Sequence, residues 1–229
     1  MISQTIKGIR FFLIPSLIYF IIGSMLLLFI PKGELTLFIN KYHNFFLDNF
    51  FIAMTWVGEI YVVIAIIIFI LLFHKIYYGL AAGGIMIFAG LLAQGLKRLV
   101  FSDFMRPLAF FEEAKGLYLI DGLDIHTMYS FPSGHTTGAF ALFTTLSLIH
   151  LNKNRQFFFF FIAFLVGLSR IYLVQHFFMD TYFGTLLGIS TAVCCFIVIK
   201  RYFPLNPNST FNKPLIRLIS NNENTAPIR

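Results

Sequence analysis

The stretch FIAMTWVGEIYVVIAIIIFILLF, residues 51–73, holds a single charged side chain, Glu59, and no proline. A run of about 20 mostly apolar residues is long enough to cross the hydrocarbon of a bilayer as a helix. Five further runs read the same way: Phe11 to Ile30, Tyr77 to Leu96, Ser133 to Leu151, Phe157 to Val174, and Asp180 to Ile199. The expected fold is therefore all-α, an integral membrane bundle of six transmembrane helices over residues 1–203, followed by a polar tail over 204–229. The first run follows Lys7 and Arg10, as a signal peptide would. It is too long for one and lacks a small-residue cleavage site, so an uncleaved first helix is expected.

Composition agrees with the spans. Of 229 residues, 58% are hydrophobic and 12% charged, with a mean hydropathy of +0.81. Soluble domains carry about 25% charged residues. Cys194 and Cys195 are adjacent within an apolar run, which excludes a disulfide framework. The net charge of +7 reads as loop asymmetry rather than as affinity for nucleic acid, because ten of the 17 Lys and Arg fall on the side of the two termini. Asp103, Glu112, Glu113, Asp121 and Asp124 lie in one loop on the opposite side. Both termini are expected in the cytoplasm of a cell whose inner (plasma) membrane, in the bacterial case, holds the chain.

Two connections carry weaker signals. Between Gly33 and Phe50, apolar Leu35, Leu37, Phe38, Phe45 and Phe46 alternate with Lys41 and His43. That pattern fits either a helix lying on the outer surface or a plain loop. The tail from Phe203 onward is rich in Pro, Asn and Ser, and poor order is expected there.

Three polar clusters interrupt the apolar pattern: Lys97-Arg98 with Arg106-Pro107, then Phe131-Pro132-Ser133-Gly134-His135, then Ser169-Arg170 with His176 and Asp180. The span count puts all three at one membrane face. Lys97, Arg106 and Arg170 bring positive charge, and Arg forks match phosphate oxygens in pairs. Pro132-Ser133-Gly134 opening a helix offers free backbone N–H groups to an anion. His176 and Asp180 are four apart and share a helix face, so the carboxylate can hold one ring nitrogen and leave the other as a nucleophile. His135 is a second imidazole, available to protonate a leaving oxygen. An anion clamp, a nucleophile, an orienting carboxylate and an acid are the parts of a phosphoryl-transfer site.

Pro132-Ser133-Gly134-His135 and Ser169-Arg170-x5-His176-x3-Asp180 resemble the second and third signature motifs of the type 2 phosphatidic acid phosphatase (PAP2) superfamily, in its membrane lipid phosphatase branch. The resemblance implies that His176 is a nucleophile forming a phosphohistidine, oriented by Asp180, and that His135 protonates the leaving alcohol and then activates water. Lys97, Arg106, Ser133, Gly134 and Arg170 are implied as phosphate-binding residues. A lipid phosphate is the implied substrate, with no metal and no cofactor. The first motif departs from the family pattern Lys-x6-Arg-Pro, which would put Leu99 at the lysine position. Lys97 is the preferred replacement, and Arg98 the other candidate.

Other features read blandly. Arg98 and Lys115 fit interfacial anchors, and His43, His74, His126 and His150 fit structural histidines beside aromatics. Glu59 inside the second span is either functional or a partner for a nearby cation. Competing functions are a vanadium-haloperoxidase-like enzyme, against which six spans count, and a transporter or structural protein. A transport path needs ionisable groups deep in several spans, and Glu59 stands alone.

Overall fold

A computed structural model describes residues 2–111 and 117–223. Glu112, Glu113, Lys115 and Arg229, which entered the charge reading, lie outside them. Among the described residues every regular element is helical. In chain order the elements are α1 (Ile2–Gly8), α2 (Arg10–Phe29), α3 (Glu34–Asn40), α4 (Phe45–Val57), α5 (Ile60–Phe73), α6 (Ile76–Gly95) with a π-turn over Leu96–Val100, and α7 (Pro107–Phe110). Then follow α8 (Gly134–Ile149), α9 (Lys153–Tyr172), α10 (Phe178–Tyr202) and α11 (Leu215–Glu223). The chain is an integral membrane protein of helices.

Among the described residues, four helices are long and apolar enough to cross a membrane: Arg10–Phe29, Ile76–Val100, Lys153–Tyr172 and Phe178–Tyr202. The bent pair α4–α5 makes a fifth. The count of six thus meets a structural difference at the fourth predicted span. That span is α8, whose 16 residues extend only about 24 Å at 1.5 Å per residue. It is the inner helix of the bundle, packed by α6, α9 and α10. Thr136, Thr137, Thr144, Thr145 and Ser147 are all buried on it. Thr145 and Ser147 return their hydroxyls to the carbonyls of Ala141 and Phe143, each at 2.8 Å, which makes them tolerable in an apolar interior.

The second predicted span, residues 51–73, differs too. Asn44 caps α4 by accepting from the N–H groups of Phe46 and Leu47, so the helix starts at Phe45. It breaks at Gly58–Glu59 and turns by 52° into α5. Glycine is needed there, because a Cβ on residue 58 would stand 2.8 Å from Val166 Cγ1. Glu59 consequently sits at a bend with a side chain 39% exposed, not buried within a continuous span. The region 33–50 resolves into α3 and the first turns of α4. The tail is more regular than expected: α11 packs on α5, and Lys213 O accepts from Ile76 N at 3.1 Å.

The closest helix packing is between α8 and α10. A Cβ on Gly184 would lie 2.9 Å from Ser133 O, and one on Gly188 would lie 2.5 Å from Thr137 O and 2.9 Å from Ala141 N. Small residues four apart let two helix backbones touch in a membrane. Phe12, Phe140 and Phe160 fill the core beneath by edge-to-face contacts. Leu28, Phe29 and Leu99 point outward, as lipid-facing side chains do.

This seam gives a stability prediction. Gly188→Ala should destabilise the folded protein by about 1–3 kcal/mol, the usual range for forcing a methyl group into a filled interface. Gly90→Ala, where a Cβ meets nothing within 4 Å, should be neutral. Thermal unfolding of both variants in the same detergent checks this, and equal midpoints would contradict the seam.

Candidate active site

The predicted residues arrive from separate helix ends. Lys97 comes from the π-turn closing α6, Ser133 to His135 from the start of α8, Arg170 from the last turn of α9, and Asp180 from the first turn of α10. Arg106 precedes α7. His176 lies in the short link between α9 and α10. Val174 in that link has φ of 57°, a left-handed conformation that a β-branched residue rarely adopts. Its turn lets Gln175 and His176 both return their N–H groups to Arg170 O, at 2.9 and 3.0 Å. The His ring is thereby directed back under the end of α9.

Asp180 ties the link to both neighbouring segments. Its Oδ2 accepts from Ser130 Oγ at 2.5 Å, from Phe177 N at 2.9 Å and from His176 Nδ1 at 3.4 Å. Its backbone carbonyl accepts from Ser133 N at 3.0 Å. A carboxylate only accepts, so Nδ1 carries the proton and Nε2 is the basic nitrogen of His176. His176 is 1% exposed and Asp180 wholly buried.

The cations surround this pair. Arg106 donates through Nε to Met128 O at 3.0 Å and through Nη1 to Gln175 Oε1 at 3.0 Å. Arg170 Nη1 donates to Thr55 Oγ1, while its buried Nε has no hydrogen-bond partner among the described residues. Lys97 is 6% exposed. Arg98 is exposed, and Leu99, at the position the family pattern reserves for lysine, is 85% exposed. The π-turn explains the irregular spacing. Phe101 N bonds Leu96 O, five residues back, and the widened turn rotates Lys97 inward. Ser133 caps α8, with its Oγ accepting from Thr136 N and from Thr136 Oγ1. Gly134, the first residue of that helix, has open space where a Cβ would stand.

His135 Nε2 lies 2.9 Å from Glu59 Oε1. The bend between α4 and α5 brings Glu59 there. Sequence reading flagged Glu59 without finding its partner. It missed Ser130, Thr55 and Gln175 altogether, since a hydroxyl or amide in a loop or apolar run carries no spacing signal. The arrangement presents three cations, a helix N-terminus and one basic imidazole nitrogen to a common region, a set able to hold a tetrahedral oxyanion against a nucleophile.

Burial first, then the positive charges of Arg106, Lys97 and Arg170, hold the His176 imidazole well below its ordinary value of 6.5. A lowered imidazole keeps the neutral, nucleophilic form as pH falls through the usual histidine range. Ring 15N shifts of His176 should therefore stay those of a neutral imidazole protonated on Nδ1 between about pH 8 and pH 6. A titration midpoint at 6.5 or above would contradict the geometry.

Comparison with known proteins bears on the family and the fold. No curated protein sequence matches the chain. The fold is similar to the crystal structure of LpxE from Aquifex aeolicus, with 32% identity and a TM-score of 0.61 over 72% of this chain and 94% of that one. It is also similar to a transmembrane PAP2-type phosphatidylglycerolphosphate phosphatase from Bacillus subtilis. That likeness has a TM-score of 0.58 at 21% identity over 88% of this chain and 100% of the other, and it bears on fold alone. The family model of the PAP2 superfamily matches residues 78–204, more than half the chain and the stretch that carries all three polar clusters. The chain belongs to the PAP2 superfamily.

Proposed function

We propose that the protein is an integral membrane phosphatase that hydrolyses a lipid phosphate monoester or diphosphate at the outer face of the membrane. Substrates of the phosphatidic acid, phosphatidylglycerophosphate, polyprenyl diphosphate or lipid A type fit this reading. The observation that carries it is the buried His176–Asp180 pair beside Lys97, Arg106 and Arg170, with Arg170 Nε left to donate. Membership of the PAP2 superfamily and likeness to LpxE support it.

In this reading His176 Nε2 attacks phosphorus, and the bond from phosphorus to the lipid oxygen breaks. His135 gives its proton to that oxygen. Water then attacks the phosphohistidine, loses its proton to His135, and the N–P bond breaks to release inorganic phosphate. Asp180 holds Nδ1–H throughout, so the ring neither rotates nor loses its tautomer. Lys97, Arg106, Arg170, the Ser133 hydroxyl and the Gly134 N–H stabilise the charge developing on the phosphoryl oxygens, the task that metal ions perform elsewhere. Glu59, 2.9 Å from His135 Nε2, holds that ring in place.

His176→Ala should abolish turnover of phosphatidic acid while leaving a folded, membrane-inserted protein. Wild-type protein quenched during turnover should carry acid-labile, base-stable phosphate, and activity should survive EDTA. Full activity in folded His176→Ala protein would remove the mechanism. Loss on chelation that magnesium restores would remove its metal independence.

The side of the reaction follows from the charge asymmetry, which favours both termini in the cytoplasm. In a Cys-free background, Asp121→Cys should react with an impermeant maleimide in cells with an intact inner membrane. Asn154→Cys should react only after that membrane is opened. The opposite pattern would invert the orientation and exclude an outer-leaflet substrate.

A further inference from the structure

Lys97 and Arg106 have a second side. Besides standing near His176, where both act on its charge, they line a cavity of about 540 Å³ with Gln94, Arg98, His126 and Thr127. His176, His135 and Arg170 do not line it. Two basic side chains thus form a wall between the reacting centre and a neighbouring chamber whose other basic residues are Arg98 and His126. Among the described residues, no Asp or Glu lines that chamber. A carboxylate-free cavity with this many basic groups is complementary to an anion.

The chamber is built rather than incidental. Arg106 N donates to Thr127 O at 2.8 Å, and its guanidinium holds Met128 O. Ser130 N bonds Phe104 O at 2.8 Å, and Gln175, which receives Arg106 Nη1, donates to Asp124 O at 2.9 Å. The segment that carries His126 is therefore fastened to a residue of the reacting centre and to the link that holds His176. The π-turn that rotates Lys97 inward leaves Arg98 exposed beside it, on the chamber wall.

We infer that this chamber is a second anion subsite, in which Arg98 and His126 hold a further phosphate of the substrate, one lying a few atoms from the phosphoryl group that reacts at His176. The inference rests on the lipid phosphatase reading and narrows it to lipids with two neighbouring phosphates. These are either a diphosphate or a phosphomonoester joined through a short alcohol to a phosphodiester. A lipid with a single phosphate needs only Lys97, Arg106 and Arg170, and leaves Arg98 and His126 unused.

The test compares wild-type protein with an Arg98→Ala/His126→Ala variant in the same micelles. The lipids are phosphatidic acid, phosphatidylglycerophosphate and a polyprenyl diphosphate. Binding of orthophosphate and pyrophosphate is measured alongside by calorimetry. The variant should raise KM about tenfold or more on at least one lipid with two phosphates, as expected for the loss of charge-assisted contacts. Its kcat there, and both constants on phosphatidic acid, should stay within about twofold. The lipid that suffers identifies the diphosphate or the phosphodiester as the occupant. Wild-type protein should bind pyrophosphate about tenfold more tightly than orthophosphate, and the variant should lose that preference. Equal losses on all three lipids, no loss on any, or no preference for pyrophosphate would overturn the subsite. A wild-type protein that cleaves neither these lipids nor lipid A but shows the variant-sensitive preference would overturn the phosphatase reading and leave the subsite standing.

Discussion

Contact between the backbones of α8 and α10, through Gly184 and Gly188, is the constraint on which the rest of the structure depends. Methyl groups at these positions would stand 2.9 Å and 2.5 Å from the carbonyl oxygens of Ser133 and Thr137, so the helices can come this close only without them. That approach brings Ser133 N onto Asp180 O. The N-terminus of α8 is thus fixed beside the first turn of α10. His176, Asp180 and Ser130 are then positioned together by hydrogen bonds that span under 3.5 Å. Wider spacing of the two helices would separate the N-terminus of α8 from the imidazole.

Upon this frame the protein concentrates positive charge without neutralising it. Arg106 is held by carbonyls and an amide, and Arg170 by a hydroxyl. Such dipoles fix position while leaving the formal charge available. Asp180 Oδ2 accepts from three groups at once, and Glu59 is bonded to His135. Neither carboxylate forms an ion pair with Lys97, Arg106 or Arg170 by distance among the described residues. Like charges in a region of low dielectric repel strongly, and a bound anion relieves that repulsion. Preorganisation of this kind favours charge that develops on a bound oxyanion.

Three departures from regular helix serve the site. The π-turn at Leu96–Val100 rotates Lys97 inward, the break at Gly58–Glu59 turns Glu59 onto His135, and Val174 takes a left-handed backbone just before His176. Irregular backbone at membrane depth is tolerated where it is buried in protein or lines a polar cavity, and strained residues cluster at functional positions. Each departure redirects one titratable side chain while the helices around it keep their packing.

Apolar runs and motif spacing determined much of this protein by themselves. A helical membrane protein follows from residue hydrophobicity summed over windows as long as a bilayer is thick, which is a local property. The pairing of His176 with Asp180 was legible because four residues span about one turn, so a residue just before a helix and one in its first turn lie close whatever the helix packs against. The positions of Ser133 and Arg170 were legible for a related reason, since capping and helix-end placement are set within one turn. Tertiary structure alone decided the rest. Hydrophobicity makes the run that became α8 look like any other span, but its place as the inner helix is set by the packing of α6, α9 and α10 around it. That Lys97 is buried and Arg98 exposed turns on one widened helical turn, worth about 100° of rotation, which composition does not encode. The partnership of Glu59 with His135, and of Asp180 with Ser130, joins residues 76 and 50 positions apart. No periodic pattern reaches that far, because such contacts are set by how helices pack and not by the order of residues along any one of them.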